Sequence, residues 1–131
     1  MNQKVKNTGR FNYISAICAC LLWGGWSFYI NYSLGSLKGG IISGIAQGIC
    51  SFFITLFMTY LIELQFNYYK NKYLKMILPP ICTVALTGTV LILVHYFIGT
   101  PNILKTVSPA LTIATLFAFF TNFKLNKQIS N

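Results

Sequence analysis

An all-α, polytopic membrane protein with four transmembrane helices in a compact bundle is the fold class this sequence predicts, on three observations. Uncharged apolar stretches cover residues 11–37, 39–62, 76–104 and 106–123 of a 131-residue chain. Each is long enough to cross a hydrocarbon core of about 30 Å, which takes roughly 17–25 apolar residues. Only one acidic residue (Glu63) and one histidine (His95) accompany ten lysines and arginines. Those cations stand at the ends of the apolar stretches: Lys4, Lys6 and Arg10 before the first, Lys70, Lys72 and Lys75 between the second and third, and Lys124 and Lys127 after the fourth. Lys38 and Lys105 alone mark the other two connections. The positive-inside rule therefore predicts both termini and the central connection in the cytoplasm.

The first span is expected over 12–33. Its basic flank and the run Ile17-Cys18-Ala19-Cys20 approach a secretory or lipoprotein signal, with Cys20 as the residue to be acylated. The apolar run continues to Leu34, which suits a retained helix. Small residues in Ser33-Leu34-Gly35-Ser36 predict a tight hairpin into the second span, 39–65. Tyrosines and lysines alternate over 67–75, a mixture suited to the headgroup layer. Pro79-Pro80 is expected at the start of the third span, 79–98, because a deeper proline removes a backbone donor that lipid cannot replace. Thr100-Pro101 and Ser108-Pro109 each read as an N-cap followed by proline at the first helical position. They predict a short interfacial helix near 101–106 and a fourth span over 109–126.

Lipid supplies little hydrophobic drive between helices, so close backbone approach and hydrogen bonds must hold them together. Gly40, Gly44 and Gly48 on the second span, and Ala110, Ala114 and Ala118 on the fourth, recur at i, i+4, i+8 and are the expected packing faces. They can pair with each other, with Gly24 and Gly25, or with a second subunit. Trp23 and Trp26 lie deeper than an aromatic belt and read as packing residues. The four cysteines (Cys18, Cys20, Cys50, Cys82) fall inside the spans, where thiols act as small apolar groups.

Chemistry is sparse. Glu63, near the end of the second span, is expected to form an interfacial ion pair with Lys70 or Lys72. Without aspartate, and with Glu63 and His95 toward opposite faces, carboxylate dyads, metal clusters and triads are not expected. Neither a catalytic residue nor a cofactor is expected. Nucleic-acid binding is not expected either, because no basic stripe with base-stacking aromatics occurs. Polar side chains do gather toward the outer half: Asn31, Gln47, Thr89, His95 and Thr100. Polar groups at membrane depth are expensive unless paired or lining a wet cavity, so this set is the candidate polar pocket, with interhelical hydrogen bonding as the simpler reading.

The residues Leu22-Trp23-Gly24-Gly25-Trp26 and His95-Tyr96-Phe97-Ile98-Gly99-Thr100-Pro101-Asn102-Ile103-Leu104 resemble those of small four-helix bacterial inner-membrane proteins of uncharacterised function. In layout, and in the ending Thr121-Asn122-Phe123-Lys124, the chain is similar to the GtrA-like family, whose members are thought to help move polyprenyl-linked sugars across membranes. Two functions are thus expected. One is a non-catalytic subunit of the inner membrane that packs against a larger membrane-protein partner or as a homo-oligomer. The other is a small transporter or translocation helper for a lipid or lipid-linked ligand. A continuous polar path through Gln47 and His95 favours the second, and a solid apolar core with an exposed glycine face favours the first.

Overall fold

A computed structural model describes residues 4–130. It contains four α-helices in an up-and-down order: α1 (Gly9–Leu34), α2 (Leu37–Tyr68), α3 (Lys72–Phe97) and α4 (Ile103–Ser130). All four are long and apolar enough to cross a membrane. One end of the bundle, the terminal end, carries both termini and the α2–α3 connection. The other, the hairpin end, carries the α1–α2 and α3–α4 connections.

The interior is more polar than the surface. Among the described residues fifteen polar ones are buried against ten apolar ones, while Leu21, Phe53, Phe97 and Leu116 stand out among many exposed apolar side chains. This inversion is what a lipid solvent selects: apolar side chains face the acyl chains, and polar ones are tolerated only where other helices satisfy them. α2 is the central helix, with 39% of its most apolar window buried against 11% for α1. α1 lies along α2, touches α4 only lightly and does not reach α3.

The α1–α2 seam is built by the glycine row. A Cβ on Gly44 would lie 2.9 Å from Phe28 Cβ and 3.2 Å from Gly24 O, and one on Gly40 would lie 3.0 Å from Tyr32 Cβ. A Cβ on Gly48 would lie 3.3 Å from Cys20 O. Glycine is required at these points because the backbones themselves are in contact. Gly25, by contrast, meets nothing within 4 Å.

The helices are longer than the sequence predicts, and the prolines explain two corrections. Pro79 and Pro80 lie inside α3, which begins at Lys72 with Asn71 as its N-cap, and not at a helix start. As helix-interior prolines they leave the carbonyls of Lys75 and Met76 without their i+4 donors. The Asn122 side-chain amide on α4 donates to both, at 3.1 and 3.0 Å. Pro109 likewise lies inside α4, which starts at Ile103, so no separate interfacial helix exists over 101–106. Its vacated acceptor, Lys105 O, takes the Trp26 indole N–H at 3.1 Å. Each missing backbone donor is thus replaced by a side chain from a neighbouring helix, which lets the helix continue through the proline.

The terminal end is closed by an extended segment ahead of α1. Val5 exchanges two hydrogen bonds with the Asn67 side chain, N–H to Oδ1 and Nδ2 to C=O, both 3.0 Å. Its side chain joins Met58, Ile62, Phe66, Ala118 and Leu125 in the apolar core of this end. Gln128 Nε2 donates to Lys6 O at 3.3 Å, tying the same segment to α4. Thr8 then N-caps α1 by accepting from Phe11 N–H.

Candidate functional site

At the hairpin end two hydrogen-bonded knots hold four of the five polar residues that the sequence singles out. The first is a chain across α2, α3 and the α3–α4 connection. Gln47 Nε2 makes a long bond of 3.4 Å to Ser51 Oγ, which leaves Gln47 Oε1 as an acceptor facing His95 Nε2. An amide oxygen can only accept, so Nε2 carries the imidazole hydrogen in this arrangement. His95 Nδ1 is then the acceptor for the Thr100 hydroxyl at 2.7 Å.

Thr100 reaches His95 because of how α3 ends. Gly99 adopts φ +68°. Thr100 N–H returns to His95 O at 3.0 Å and Gly99 N–H to Tyr96 O at 3.2 Å. That is a Schellman turn, in which the left-handed residue is glycine because a Cβ is disfavoured there. The turn folds the Thr100 hydroxyl back over the imidazole five residues earlier in the chain.

The second knot is centred on Asn31 of α1. Its Nδ2 donates to Ser27 O and to Thr106 Oγ1, both at 2.8 Å, and its Oδ1 accepts from Asn102 N–H at 3.1 Å. Asn31 therefore clamps the first turn of α4. Thr89 belongs to neither knot: it is exposed on α3 and donates to its own Ala85 O at 2.7 Å. The face of α3 that does point inward runs through Thr87, Gly88, Leu91 and His95. Asn31, Gln47 and His95 are fully buried and hydrogen-bonded in two separate knots and do not line one open pocket. Thr100 alone also borders a recess of about 260 Å³ at the hairpin end, with Ser36, Lys38, Ser43 and Gly99.

Sequence reasoning missed a longer feature. On α2, Ser43, Gln47, Ser51, Thr55, Thr59 and Glu63 recur at every fourth position, and all are buried except the half-buried Thr55. Their repetition at i+4, the same period as the glycine row, is the signal the sequence carries for them. Ser43, Thr55 and Thr59 bond back to carbonyls of their own helix. Gln47 and Glu63 are the two that reach other segments.

Glu63 does not form the expected ion pair with Lys70 or Lys72. Its Oε1 accepts from the Asn7 backbone N–H at 2.8 Å, while both lysines are exposed beyond the helix end. The N-terminal segment takes the place that a lysine was expected to fill.

A lateral, half-open cavity of about 340 Å³ lies between α1 and α4, backed by α2 and α3. Ala110 and Ala114 of α4, with Ser15 and Ala19 of α1, form its narrow walls, Ile14, Cys18, Leu22 and Ile113 its exposed rim. The alanine row thus acts differently from the glycine row. Ala118 is packed in the core with Ala114 partly buried against it, while Ala110 and Ala114 also line the gap left because α1 follows α2 more closely than α4. Ser51 lines the cavity and also ends the Gln47–His95–Thr100 chain. The hydroxyls of Thr55 and Thr87 on the same wall are spent on their own helices, so the lining is effectively apolar.

Among the described residues, no group of three or more His, Cys, Asp or Glu side chains comes together to hold a metal ion. The four thiols are free and dispersed. Compared with known proteins, the chain matches no family model, no curated protein and no solved structure.

Proposed function

We propose that this chain is a non-catalytic, multi-pass inner-membrane protein that holds the hydrocarbon tail of a lipid or lipid-linked ligand in the cavity between α1 and α4. The basic residues at the terminal end support a topology with both termini in the cytoplasm. The carrying observation is the cavity itself: apolar, at mid-length of the helices, open sideways at the most exposed helix, and roofed by Ser51. Its volume of about 340 Å³ falls at the small end for ligand pockets. Its lining is almost wholly apolar and it opens sideways, which suits a stretch of acyl or prenyl chain laid in from the bilayer. The Gln47–His95–Thr100 chain runs from the cavity roof to the recess at the hairpin end, and it stiffens the wall on which a ligand would rest. A role beside lipid-linked sugars, as the resemblance to the GtrA-like family implies, is one form of this function.

A second reading draws on a different surface. The outer side of the α1–α2 seam forms a shallow groove of about 440 Å³, with Gly24, Gly25, Gly44 and Gly48 along its floor and Leu21, Ile41, Ile45 and Ile49 at its rim. That surface suits a helix of a membrane partner or a second copy, as the subunit reading requires.

Photo-crosslinking separates the two. A photoactivatable phospholipid, with its reactive group in mid-chain, is expected to label residues 14–23 and 110–117 of the parent protein in membranes. Ala114→Phe, which fills the cavity, should lower that labelling severalfold at equal protein abundance. Labelling spread evenly over all exposed helix faces, and unchanged by Ala114→Phe, would contradict lipid binding in the cavity.

A further inference from the structure

Glu63 is the chain's only acidic residue and is 8% exposed. Its carboxylate has one hydrogen bond among the described residues, from Asn7 N–H to Oε1. The nearby lysines are engaged or turned outward. Lys75 lies over the Phe66 ring at 4.8 Å, Lys124 lies over the Phe11 ring at 3.6 Å, and Lys70 and Lys72 are exposed. A largely shielded carboxylate with no counter-charge carries a desolvation cost that a bound cation would offset.

Unused oxygens gather at the same end. Six buried side-chain atoms among the described residues have no hydrogen-bond partner, and five of them are at the terminal end: Asn7 Nδ2 and Oδ1, Asn12 Oδ1, Thr121 Oγ1 and Asn122 Oδ1. Thr121 is the informative case. Thr55, Thr59, Thr87, Thr89, Thr112 and Thr115 all donate to a carbonyl of their own helix, whereas the Thr121 hydroxyl, fully buried, donates to nothing. Asn7 is 3% exposed and leaves its whole amide unused.

Packing brings these groups to one level. Asn7 is bonded to Glu63, and Asn12 follows it by little more than one turn, its N–H donating to Thr8 O. Phe11 stacks on Phe117 at 5.9 Å and meets Phe120 at 6.4 Å, which sets the start of α1 against the stretch of α4 that holds Thr121. Ile62 and Phe66, either side of Glu63, share a cluster with Ala118 and Leu125, either side of Thr121.

We propose that Glu63, with the side-chain oxygens of Asn7, Asn12 and Thr121, binds a single sodium ion. The donor set is all oxygen, which suits a hard cation and not a thiophilic or imidazole-seeking metal. One carboxylate with neutral ligands gives a net-neutral site with a monovalent ion; a divalent ion would leave an unbalanced charge inside the bundle. Sodium would bridge the N-terminal segment, α1, α2 and α4, and so lock the terminal end. The site lies at the opposite end from the Gln47–His95–Thr100 chain and does not depend on the lipid proposal.

Thermal unfolding of the full chain in detergent tests it, in sodium chloride against choline chloride at equal ionic strength. Sodium should raise the melting temperature of the parent in a saturable way, as binding to the folded state requires. Glu63→Gln should abolish the increment. Thr121→Val, close in shape, should weaken half-saturation by about tenfold, the effect of losing one ligand to a charged centre. Equal melting of the parent in both salts would overturn the proposal. So would an undiminished sodium increment in Glu63→Gln or, where that variant does not fold, unchanged half-saturation in Thr121→Val.

Discussion

Asn122→Leu is expected to destabilise the protein by roughly 2–4 kcal/mol, because two partly buried carbonyls lose their replacement donor and each unsatisfied group costs about 1–3 kcal/mol. Leucine keeps much of the volume, so the loss reports hydrogen bonding more than packing. The sharper result is the rescue. Adding Pro79→Ala and Pro80→Ala restores the backbone N–H groups that α3 would normally offer to Lys75 O and Met76 O. The triple variant is therefore expected to be more stable than Asn122→Leu alone, although proline-to-alanine changes on their own ought to help little while Asn122 is present. Reversible unfolding in mixed micelles measures all three. A triple variant no more stable than the single one would show that Asn122 acts otherwise than through those carbonyls.

Gly44→Ile should be comparably damaging. Any side chain there begins with a Cβ 2.9 Å from Phe28 Cβ and 3.2 Å from Gly24 O, and the second of these is backbone that cannot rotate away. α1 must then move off α2, and the van der Waals contact along the seam is lost. Overpacking of this kind typically costs about 1–3 kcal/mol, and the upper part of that range is expected because most of the packing of α1 is against α2. Gly25→Ile is the control, since that position meets nothing within 4 Å and faces outward. Thermal unfolding of the two variants beside the parent should show a large drop for the first and a small one for the second. Equal melting of Gly44→Ile and the parent would contradict a close-packed glycine seam.

The span count and the glycine seam were legible in the sequence for one reason: both rest on residues close together in the chain. Apolar run length reports a membrane helix directly, and Gly40, Gly44 and Gly48 share a face by helical period alone. Asn31, Gln47, His95 and Thr100 were recognisable as costly polar groups at depth, but not as two separate knots. That division depends on the Gly99 turn and on Asn102, whose N–H binds Asn31 from 71 residues away. Proline gave a misleading signal. A helix-interior proline in lipid needs a substitute donor, and nothing local announces that Asn122 and Trp26 supply one, from 47 and 79 residues away. Thr89 was misassigned because depth was considered and helical face was not. The N-terminal segment was read as a basic flank, since Val5 and Asn7 gain meaning only once α2 presents Asn67 and Glu63 to them. The cavity was least visible of all. Small residues at 110 and 114 are compatible with a tight contact or a gap, and the course of α1 along α2 decides between them.

Native mass spectrometry of the protein released from mild detergent tests the central proposal most directly, with the parent, Ala114→Phe and Gly25→Ile compared under the same activation. A lipid that resists removal from the parent and from Gly25→Ile, and is absent from Ala114→Phe at similar thermal stability, is the result expected for a chain held between α1 and α4. A parent that sheds all lipid as readily as Ala114→Phe, or a filled variant that keeps the same bound mass, would contradict it.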